Sequence, residues 1–209
     1  MKALVDRGYL LFDPIGKRYA LAPRFVFLAD AIERRYSASG GLRRLMAGLR
    51  DAFSGVIVLS APQGAYMQVQ DCMPTRPAPS QRPFAAYEEI GFQVPTFGTC
   101  TGAAWLITRS EREIRSLTKL CRRELGSAAA DLSGMLANLR EFASQGYAFG
   151  GISEDDRWRA LAMPLPPSCD GIVLVISLYG DRAVMEEGRD RLAGLIRAGI
   201  AAHLSTDEG

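Results

Sequence analysis

The stretch Val94–Ile107, VPTFGTCTGAAWLI, decides how the rest of the sequence is interpreted. It indicates the end of a strand, a turn of small residues over Gly98–Gly102, and the first turns of a helix. Small side chains let backbone N–H groups approach a ligand closely, and free N–H groups at a helix start favour an anion or a carboxylate. The same turn also fits the G-x-[SC]-x-G nucleophile elbow, with Cys100 as the attacking thiolate. A third interpretation is a turn without chemistry, and this stretch alone leaves all three open.

The elements around this stretch predict an α+β domain. Apolar spacing predicts helices over 25–36, 42–53, 110–125, 132–142 and 184–204, and strands over 55–61, 65–72, 158–165 and 172–179. The segment Phe149–Asp156 is expected to be an acidic loop. Because strands and helices do not alternate one by one, we expect an antiparallel sheet flanked by helices.

Residues 1–22 indicate the end of a helix followed by a basic hairpin. Gly8 is placed to cap the helix, and Asp13–Gly16 has the chemistry of a turn. The basic residues of this segment are candidates for contacts to DNA phosphates: Lys2, Arg7, Lys17 and Arg18. Taken alone, the segment also fits an ordinary surface hairpin.

Three further motifs occur in a fixed order along the chain. They are YALAPR at Tyr19–Arg24, GYA at Gly146–Ala148, and a hydrophobic-Ala-x-Pro ending of the strand over 158–165. Together they resemble the IclR-type transcriptional regulators over nearly the whole chain, with Ala22 where the family usually has glycine. The resemblance implies a remnant of a winged helix-turn-helix over 1–23, a linker helix over 24–36, and an effector-binding domain over 37–209. That domain is expected to be a GAF-like antiparallel sheet flanked by helices.

The resemblance also implies that Val94–Ile107 forms part of an effector pocket. In relatives that bind small oxo-acids, the amides at the positions of Cys100 and Thr101 hold the carboxylate. The pocket positions in this sequence are Phe97, Thr99, Cys100, Thr101, Gly150, Ala160, Ser177 and Tyr179. Gly150 stands where relatives have an aspartate, and Ala160 stands where they have a cysteine. The loss of this carboxylate and the gain of Tyr179 and Phe97 make the pocket less polar, so we expect an aromatic or larger carboxylate rather than the smallest oxo-acids.

Composition limits the other classes of protein. The chain has 209 residues, 48% of them hydrophobic and 23% charged, with a net charge of +2, which is typical of a globular domain without an obligatory polyanionic partner. No apolar run approaches the roughly 18 residues of a membrane helix, and residues 1–10 do not form a secretion signal, so we expect a cytoplasmic protein without a membrane partner. One histidine, His203, and four cysteines without a C-x-x-C pair do not suggest a zinc site, and we expect no metal or cofactor.

An enzyme is a remote alternative. The order of Cys100, then Asp170 or Asp181, then His203 is that of nucleophile, acid and base in α/β-hydrolases. The predicted elements do not alternate as that parallel sheet requires, and His203 lies near the end of a predicted helix. We therefore expect no catalytic residues.

The leading hypothesis is a ligand-responsive transcription regulator that binds DNA and a small carboxylate and forms a homodimer or homotetramer. The sequence begins within what would be the recognition helix, so either further helices precede Met1 or the protein has lost independent reading of DNA. The alternative is a stand-alone sensor or oligomerisation module that binds a small acid without DNA.

Overall fold

The computed structural model describes residues 1–24, 40–73, 88–125, 132–152, 156–167 and 171–204. The chain divides into two compact units, Met1–Leu42 and Arg43–Gly209. The predicted linker helix over 24–36 lies outside the described residues apart from Arg24. The three-part division of the chain therefore stays a prediction.

The first unit contains the short helix and the hairpin that the sequence indicates. Its elements are α1 (Lys2–Asp6), β1 (Leu10–Asp13) and β2 (Arg18–Leu21), with β1 and β2 antiparallel. Gly8 follows the helix at φ +72°, a left-handed conformation in which glycine ends helices without strain. The hairpin turn is fixed by the Asp13 carboxylate, which accepts a hydrogen bond of 3.0 Å from the N–H of Ile15.

The second unit is built on one antiparallel sheet. Its strands are β3 (Val56–Gln63), β4 (Tyr66–Met73), β5 (Gln93–Pro95), β6 (Ala148–Gly151), β7 (Trp158–Pro164) and β8 (Val175–Asp181). They form a six-stranded sheet in the order β5-β4-β3-β8-β7-β6, with every neighbouring pair antiparallel. The predicted α+β class is confirmed.

Helices lie on this sheet and bury its central strands. They are α2 (Gly41–Ala52), α3 (Cys100–Leu106), α4 (Glu111–Leu125), α5 (Leu132–Gln145), α6 (Arg182–Glu187) and α7 (Arg189–His203). Helix α3 packs on β6, β7 and β8, and α7 packs on β7. A Cβ at Gly199 of α7 would lie 2.4 Å from Leu45 Cδ1, so α7 and α2 are in close contact. Successive residues of β7 and β8 are buried, as expected for strands covered on both faces.

Two predicted elements differ from the structure. The predicted loop over Phe149–Asp156 begins with a strand, because β6 pairs with β7 at the edge of the sheet. The predicted terminal helix over 184–204 is two helices, α6 and α7, which meet at Gly188. Asp181 starts α6 earlier than expected, since its carboxylate caps the helix by accepting a hydrogen bond of 2.9 Å from the N–H of Ala183.

The start of α4 is the capping box that the sequence predicts. The Glu113 carboxylate accepts hydrogen bonds from the Ser110 N–H at 2.8 Å and from the Ser110 hydroxyl at 2.6 Å. The Ser110 hydroxyl oxygen in turn lies 3.4 Å from the N–H of Glu113. Cys121 of this helix is buried in the apolar core, as its spacing predicted.

Candidate functional site

The start of α3 is fixed by the side chain of Thr99. The Thr99 hydroxyl accepts a hydrogen bond of 3.1 Å from the N–H of Gly102 and donates one of 2.9 Å to the carbonyl of Pro95. Because this cap begins the helix at Cys100, the turn of small residues is shorter than predicted, and Gly102 lies inside the helix. The turn itself contains Gly98 at φ +86°, where a left-handed conformation favours glycine.

Three buried hydroxyl groups meet directly behind this helix start. The Thr101 Oγ1 atom lies 3.0 Å from Ser177 Oγ and 2.8 Å from Tyr179 Oη, and all three residues are buried. Buried hydroxyls that are paired with one another avoid the cost of an unsatisfied polar group. The cluster therefore ties α3 to strand β8 through side chains 76 and 78 residues apart in sequence.

The sheet arranges three of the predicted site residues in a row. Gly150 of β6 pairs with Ala160 of β7, which pairs in turn with Tyr179 of β8. A Cβ at Gly150 would lie 3.3 Å from the Cys100 sulfur, so β6 passes close to the first residue of α3. Small residues on β6 and β7 thus face the helix start, and the Tyr179 side chain fills the space beside them.

A small cavity remains between α3 and these strands. Its lining residues are Thr99, Cys100, Thr101, Gly151, Ile152, Ala160 and Tyr179. The cavity volume is about 10 Å³. That is close to the smallest volume that holds one water molecule, so a carboxylate does not fit in this conformation without movement of the lining side chains.

The predicted site residues divide into three groups around this cavity. Thr99, Cys100, Thr101, Ala160 and Tyr179 line it. Ser177 is joined to it through the Thr101 hydroxyl, and Gly150 lies against the Cys100 sulfur, as described above. Phe97 lies elsewhere, buried in the apolar core cluster that contains Ala103 and Met67.

Sequence reasoning missed Gly151 and Ile152 as lining residues. Both fall in the segment that was expected to be a loop, so no strand pattern pointed to them. Recognising Ala148–Gly151 as a strand would have placed Gly151 beside Gly150 at the sheet edge. The signal that could have identified this strand was the position of the segment in the chain, between α5 and β7.

The backbone amides at the helix start are open to an acceptor. Within the described ranges, neither the N–H of Cys100 nor that of Thr101 donates a hydrogen bond to the protein. Their position beside the cavity is compatible with the predicted binding of a carboxylate. The hydroxyls of Thr101 and Tyr179 supply further polar groups at the same place.

The environment of Cys100 does not suit a nucleophile. Burial raises the pKa of the Cys100 thiol to about 12, and the Arg159 guanidinium opposes this effect only in part. The thiolate is the reactive form, and a nucleophilic cysteine needs a lowered pKa. Of the two acids considered for a triad, Asp181 caps α6 and Asp170 lies outside the described residues. The geometry thus gives the hydrolase alternative no support.

The raised pKa of Cys100 predicts a dependence of stability on alkaline pH. Because the folded-state pKa lies above the ordinary value of 9.0, the folded state keeps its proton longer than the unfolded state. The contribution of the protonated Cys100 thiol to the free energy of unfolding is fully present below about pH 9 and is lost as pH rises toward 12. At pH 10 the loss from this group should be about 1 kcal/mol. Urea denaturation of wild type and Cys100→Ser between pH 8 and pH 11 measures it, and the variant should lose less stability over this range.

Cys72→Ser is the matched control for this experiment. The pKa of the Cys72 thiol is also raised by burial and by Asp71 and Glu88, but that residue lies outside the cavity. We expect its substitution to flatten the alkaline decline less than Cys100→Ser. Parallel pH profiles for wild type and Cys100→Ser would contradict the assignment of a buried, protonated thiol.

The candidate DNA-contacting residues all lie on the surface of the first unit. Lys2 belongs to α1 and Arg7 ends it, while Lys17 and Arg18 lie at the hairpin turn and the start of β2. All four side chains are exposed. Lys17 has φ +49°, a left-handed conformation that is uncommon for a residue other than glycine, and it holds the chain in the tight hairpin turn.

The described ranges contain neither a cluster of metal ligands nor a membrane-spanning helix. No three His, Cys, Asp or Glu side chains in that part of the chain are grouped so that they could hold a metal ion. No helix there combines the length and apolarity needed to cross a membrane.

The sheet order and the helix that starts beside its centre define a known fold. No protein-family model and no curated protein sequence matches the chain. Solved structures do match it. An IclR-family transcriptional regulator from Brucella abortus is 21% identical, with a TM-score of 0.67 over 96% of this chain and 76% of that chain.

Two further solved structures of IclR regulators are similar to the chain. The Thermotoga maritima IclR is 15% identical, with a TM-score of 0.65 over 96% of this chain and 80% of that one. The effector domain of a putative IclR regulator from Acinetobacter is 15% identical, with a TM-score of 0.63 over 81% of this chain and 96% of that one. The chain has the fold of IclR-type regulators, and the predicted resemblance is confirmed at that level.

Proposed function

We propose that this protein is a ligand-responsive transcriptional regulator of the IclR type and not an enzyme. Its larger unit binds a small carboxylate, and its first unit contributes contacts to DNA. The observation that carries the proposal is the convergence of the α3 start with the Thr101, Ser177 and Tyr179 hydroxyls, within the fold of such regulators.

The chemistry of the cavity favours a carboxylate. The N–H groups of Cys100 and Thr101 can donate to the two oxygens of a carboxylate, and the Thr101 hydroxyl can donate to the same ligand once it is released from Tyr179. No described lysine or arginine lines the cavity, so recognition would rest on these dipoles rather than on an ion pair. Such donors bind an anion without the cost of burying a second full charge.

The size of the cavity requires a conformational change on binding. A volume of about 10 Å³ excludes a carboxylate, so the ligand must displace a lining side chain. Tyr179 is the largest side chain in the lining and is joined to α3 through Thr101. A ligand that replaces the Tyr179 hydroxyl would break this link, and a shift of α3 would pass the signal to an oligomer interface. The oligomer would be a homodimer or a homotetramer.

DNA contacts are assigned to the exposed cations of the first unit. Lys2, Arg7, Lys17 and Arg18 are placed on the surface where phosphates can reach them. Phosphate contacts make binding fall with salt concentration, whereas readout of bases needs a helix in the major groove. These four residues are therefore assigned to phosphates, and no described residue of the first unit is assigned to the bases.

Isothermal titration calorimetry tests which class of carboxylate binds the larger unit. The titrants are acetate, pyruvate, benzoate and phenylacetate, with benzamide as the uncharged control. We expect benzoate or phenylacetate to bind and benzamide not to bind, because the amides recognise the anion. Binding of the smallest acids alone would sink the expectation of an aromatic ligand.

A gel-shift experiment tests whether the chain binds DNA through the first unit. The neighbouring promoter DNA is titrated with the full chain at several salt concentrations, with and without the bound carboxylate. Retardation that weakens in Lys17→Gln/Arg18→Gln supports the DNA role. Failure to bind DNA both by this chain and by a version extended upstream of Met1, together with carboxylate binding, would favour the stand-alone sensor instead.

A further inference from the structure

Helix α4 carries two adjacent surfaces that the proposed function does not use. The apolar groove lies between the end of α3 and α4 and has a volume of about 410 Å³. Its half-buried apolar residues are Trp105, Ile114, Leu117 and Leu120, and its lining also includes Leu106, Arg109, Arg112, Glu113 and Ser116. The basic stripe is formed by Arg112, Lys119 and Arg122 on the neighbouring face of α4. Arg112 and Ser116 lie where the two surfaces meet.

The apolar groove exposes part of the core to solvent. Its four half-buried apolar residues each pack against the main core cluster with their inner sides. Burial of apolar surface stabilises association by roughly 25 cal/mol per Å². The outer sides of these residues are therefore a source of binding energy for a partner.

The cations of the basic stripe lie on one face of the helix. At 100° per residue, positions 112, 119 and 122 fall within an arc of about 80°. All three side chains are exposed. Among the described residues, none of the three forms an ion pair with a carboxylate.

The acidic residues of α4 are already paired with other groups. Glu111 forms an ion pair of 2.5 Å with Arg115. Glu113 is held by Ser110 and lies 3.6 Å from the Arg109 guanidinium, and Glu124 lies 3.7 Å from Arg123. The positive charge of the basic stripe is thus left for an external partner.

A second copy of the chain does not suit this surface. In a symmetric pair, the same patch contacts itself, so the basic stripe of one protomer would lie close to that of its partner. Like charges placed together weaken an interface. The occupant must instead carry negative charge beside an apolar face.

A nucleic acid does not suit it either. The Arg109 guanidinium lies 4.8 Å from the centre of the Trp105 ring and covers one face of it, which removes the platform for a stacked base. Phosphates would neutralise the basic stripe but would leave the apolar groove exposed. An amphipathic helix is complementary to both surfaces. Its apolar side chains at i, i+3, i+4 and i+7 can enter the apolar groove, and its polar flank can face the basic stripe.

We infer that the apolar groove and the basic stripe together form a docking surface for an acidic amphipathic helix of another protein. The groove residues extend along α4 from Ile114 to Leu120, and the basic stripe extends further, to Arg122. At 1.5 Å per residue, the ten steps from position 112 to position 122 span about 15 Å, or close to three turns of the docked helix. Glutamates or aspartates on one flank of that helix face Arg112, Lys119 and Arg122.

The probe is an 18-residue fluorescein-labelled peptide with leucines at i, i+3, i+4 and i+7 of each two turns and glutamates on the flanks. Fluorescence polarisation with the full chain should detect binding. Arg112→Glu/Lys119→Glu/Arg122→Glu should weaken it at least about tenfold, since each close charge pair becomes a repulsion. Arg43→Glu/Arg50→Glu, exposed cations of α2, should leave it unchanged.

A second pair of variants tests the apolar groove. Leu117→Ala should weaken peptide binding about fivefold or more through lost apolar contact. Because Leu117 also packs inward, Ser116→Trp provides a groove-blocking change at an exposed position that does not touch the core. A peptide with lysine in place of glutamate should not bind.

Three results would overturn the inference. The first is the absence of peptide binding to wild type. The second is equal binding of the lysine peptide. The third is equal binding of oligoglutamate or duplex DNA with no effect of Ser116→Trp, which would make the basic stripe a site for polyanions in general.

Discussion

The substitution Gly102→Ala should destabilise the larger unit by about 3 kcal/mol or more, or prevent it from folding. A Cβ at this position would lie 1.8 Å from the Thr96 carbonyl oxygen and 2.5 Å from its carbonyl carbon. Both atoms belong to the backbone, so no side-chain rotation relieves the clash. Helix α3 would have to move away from the turn, and the Thr99 cap and the hydroxyl cluster would separate. Urea denaturation followed by circular dichroism measures the change.

Gly194→Ala is the matched control for this substitution. Gly194 lies in the exposed face of α7, and a Cβ there would meet nothing within 4 Å. Alanine is the better helix former, so this variant should gain about 0.5 to 1 kcal/mol. Opposite signs for two Gly→Ala changes in helices would identify the cost at Gly102 as steric. Wild-type stability for Gly102→Ala would contradict the close approach of α3 to Thr96.

Local signals in the sequence predicted much of this fold. The capping box of α4 depends on residues three positions apart, and Ser110 and Glu113 formed it as expected. The strand β4 alternates between buried Met67 or Val69 and more exposed Gln68 or Gln70, which its sequence already shows. Caps and strand alternation depend on residues that are close in sequence, so the spacing of residue types along the chain predicts them.

The edge strand β6 could not be predicted in the same way. Its residues include Gly150 and Gly151, and glycine is disfavoured in strands. The segment becomes a strand because β7 offers a row of hydrogen-bonding groups beside it. That stabilisation comes from tertiary pairing and leaves no periodic signal in four residues.

The sequence predicted that several candidate site residues lie close together, but it did not predict how small the cavity beside them is. The resemblance placed Thr101, Ser177 and Tyr179 in one pocket, and the Thr101 hydroxyl does lie 3.0 Å from that of Ser177 and 2.8 Å from that of Tyr179. The closure of that pocket depends on how far α3 approaches the sheet. This distance follows from the contact at Gly102, which no spacing of residues along the chain reveals.

Replacing Tyr179 with serine should open the cavity and change which acids bind. Tyr179 is 3% exposed, and removing its ring should cost about 3 to 5 kcal/mol, as for other buried aromatic residues. The space left by the ring lies beside the Cys100 and Thr101 amides. We therefore expect Tyr179→Ser to bind acetate or pyruvate at least about tenfold more tightly than wild type does, since the ligand no longer has to displace a side chain.

Tyr179→Phe separates the two roles of this side chain. It keeps the ring and removes the hydroxyl, which lies 2.8 Å from Thr101 Oγ1, so it should cost about 1 kcal/mol. Because the ring still fills the cavity, this variant should not gain affinity for acetate. Calorimetric titration of both variants and of wild type with acetate, pyruvate and benzoate makes the comparison. If Tyr179→Ser folds and its ligand profile equals that of wild type, then Tyr179 does not control entry to the cavity. If Tyr179→Phe gains acetate binding as well, the hydroxyl link to α3, rather than the bulk of the ring, is what keeps the site closed.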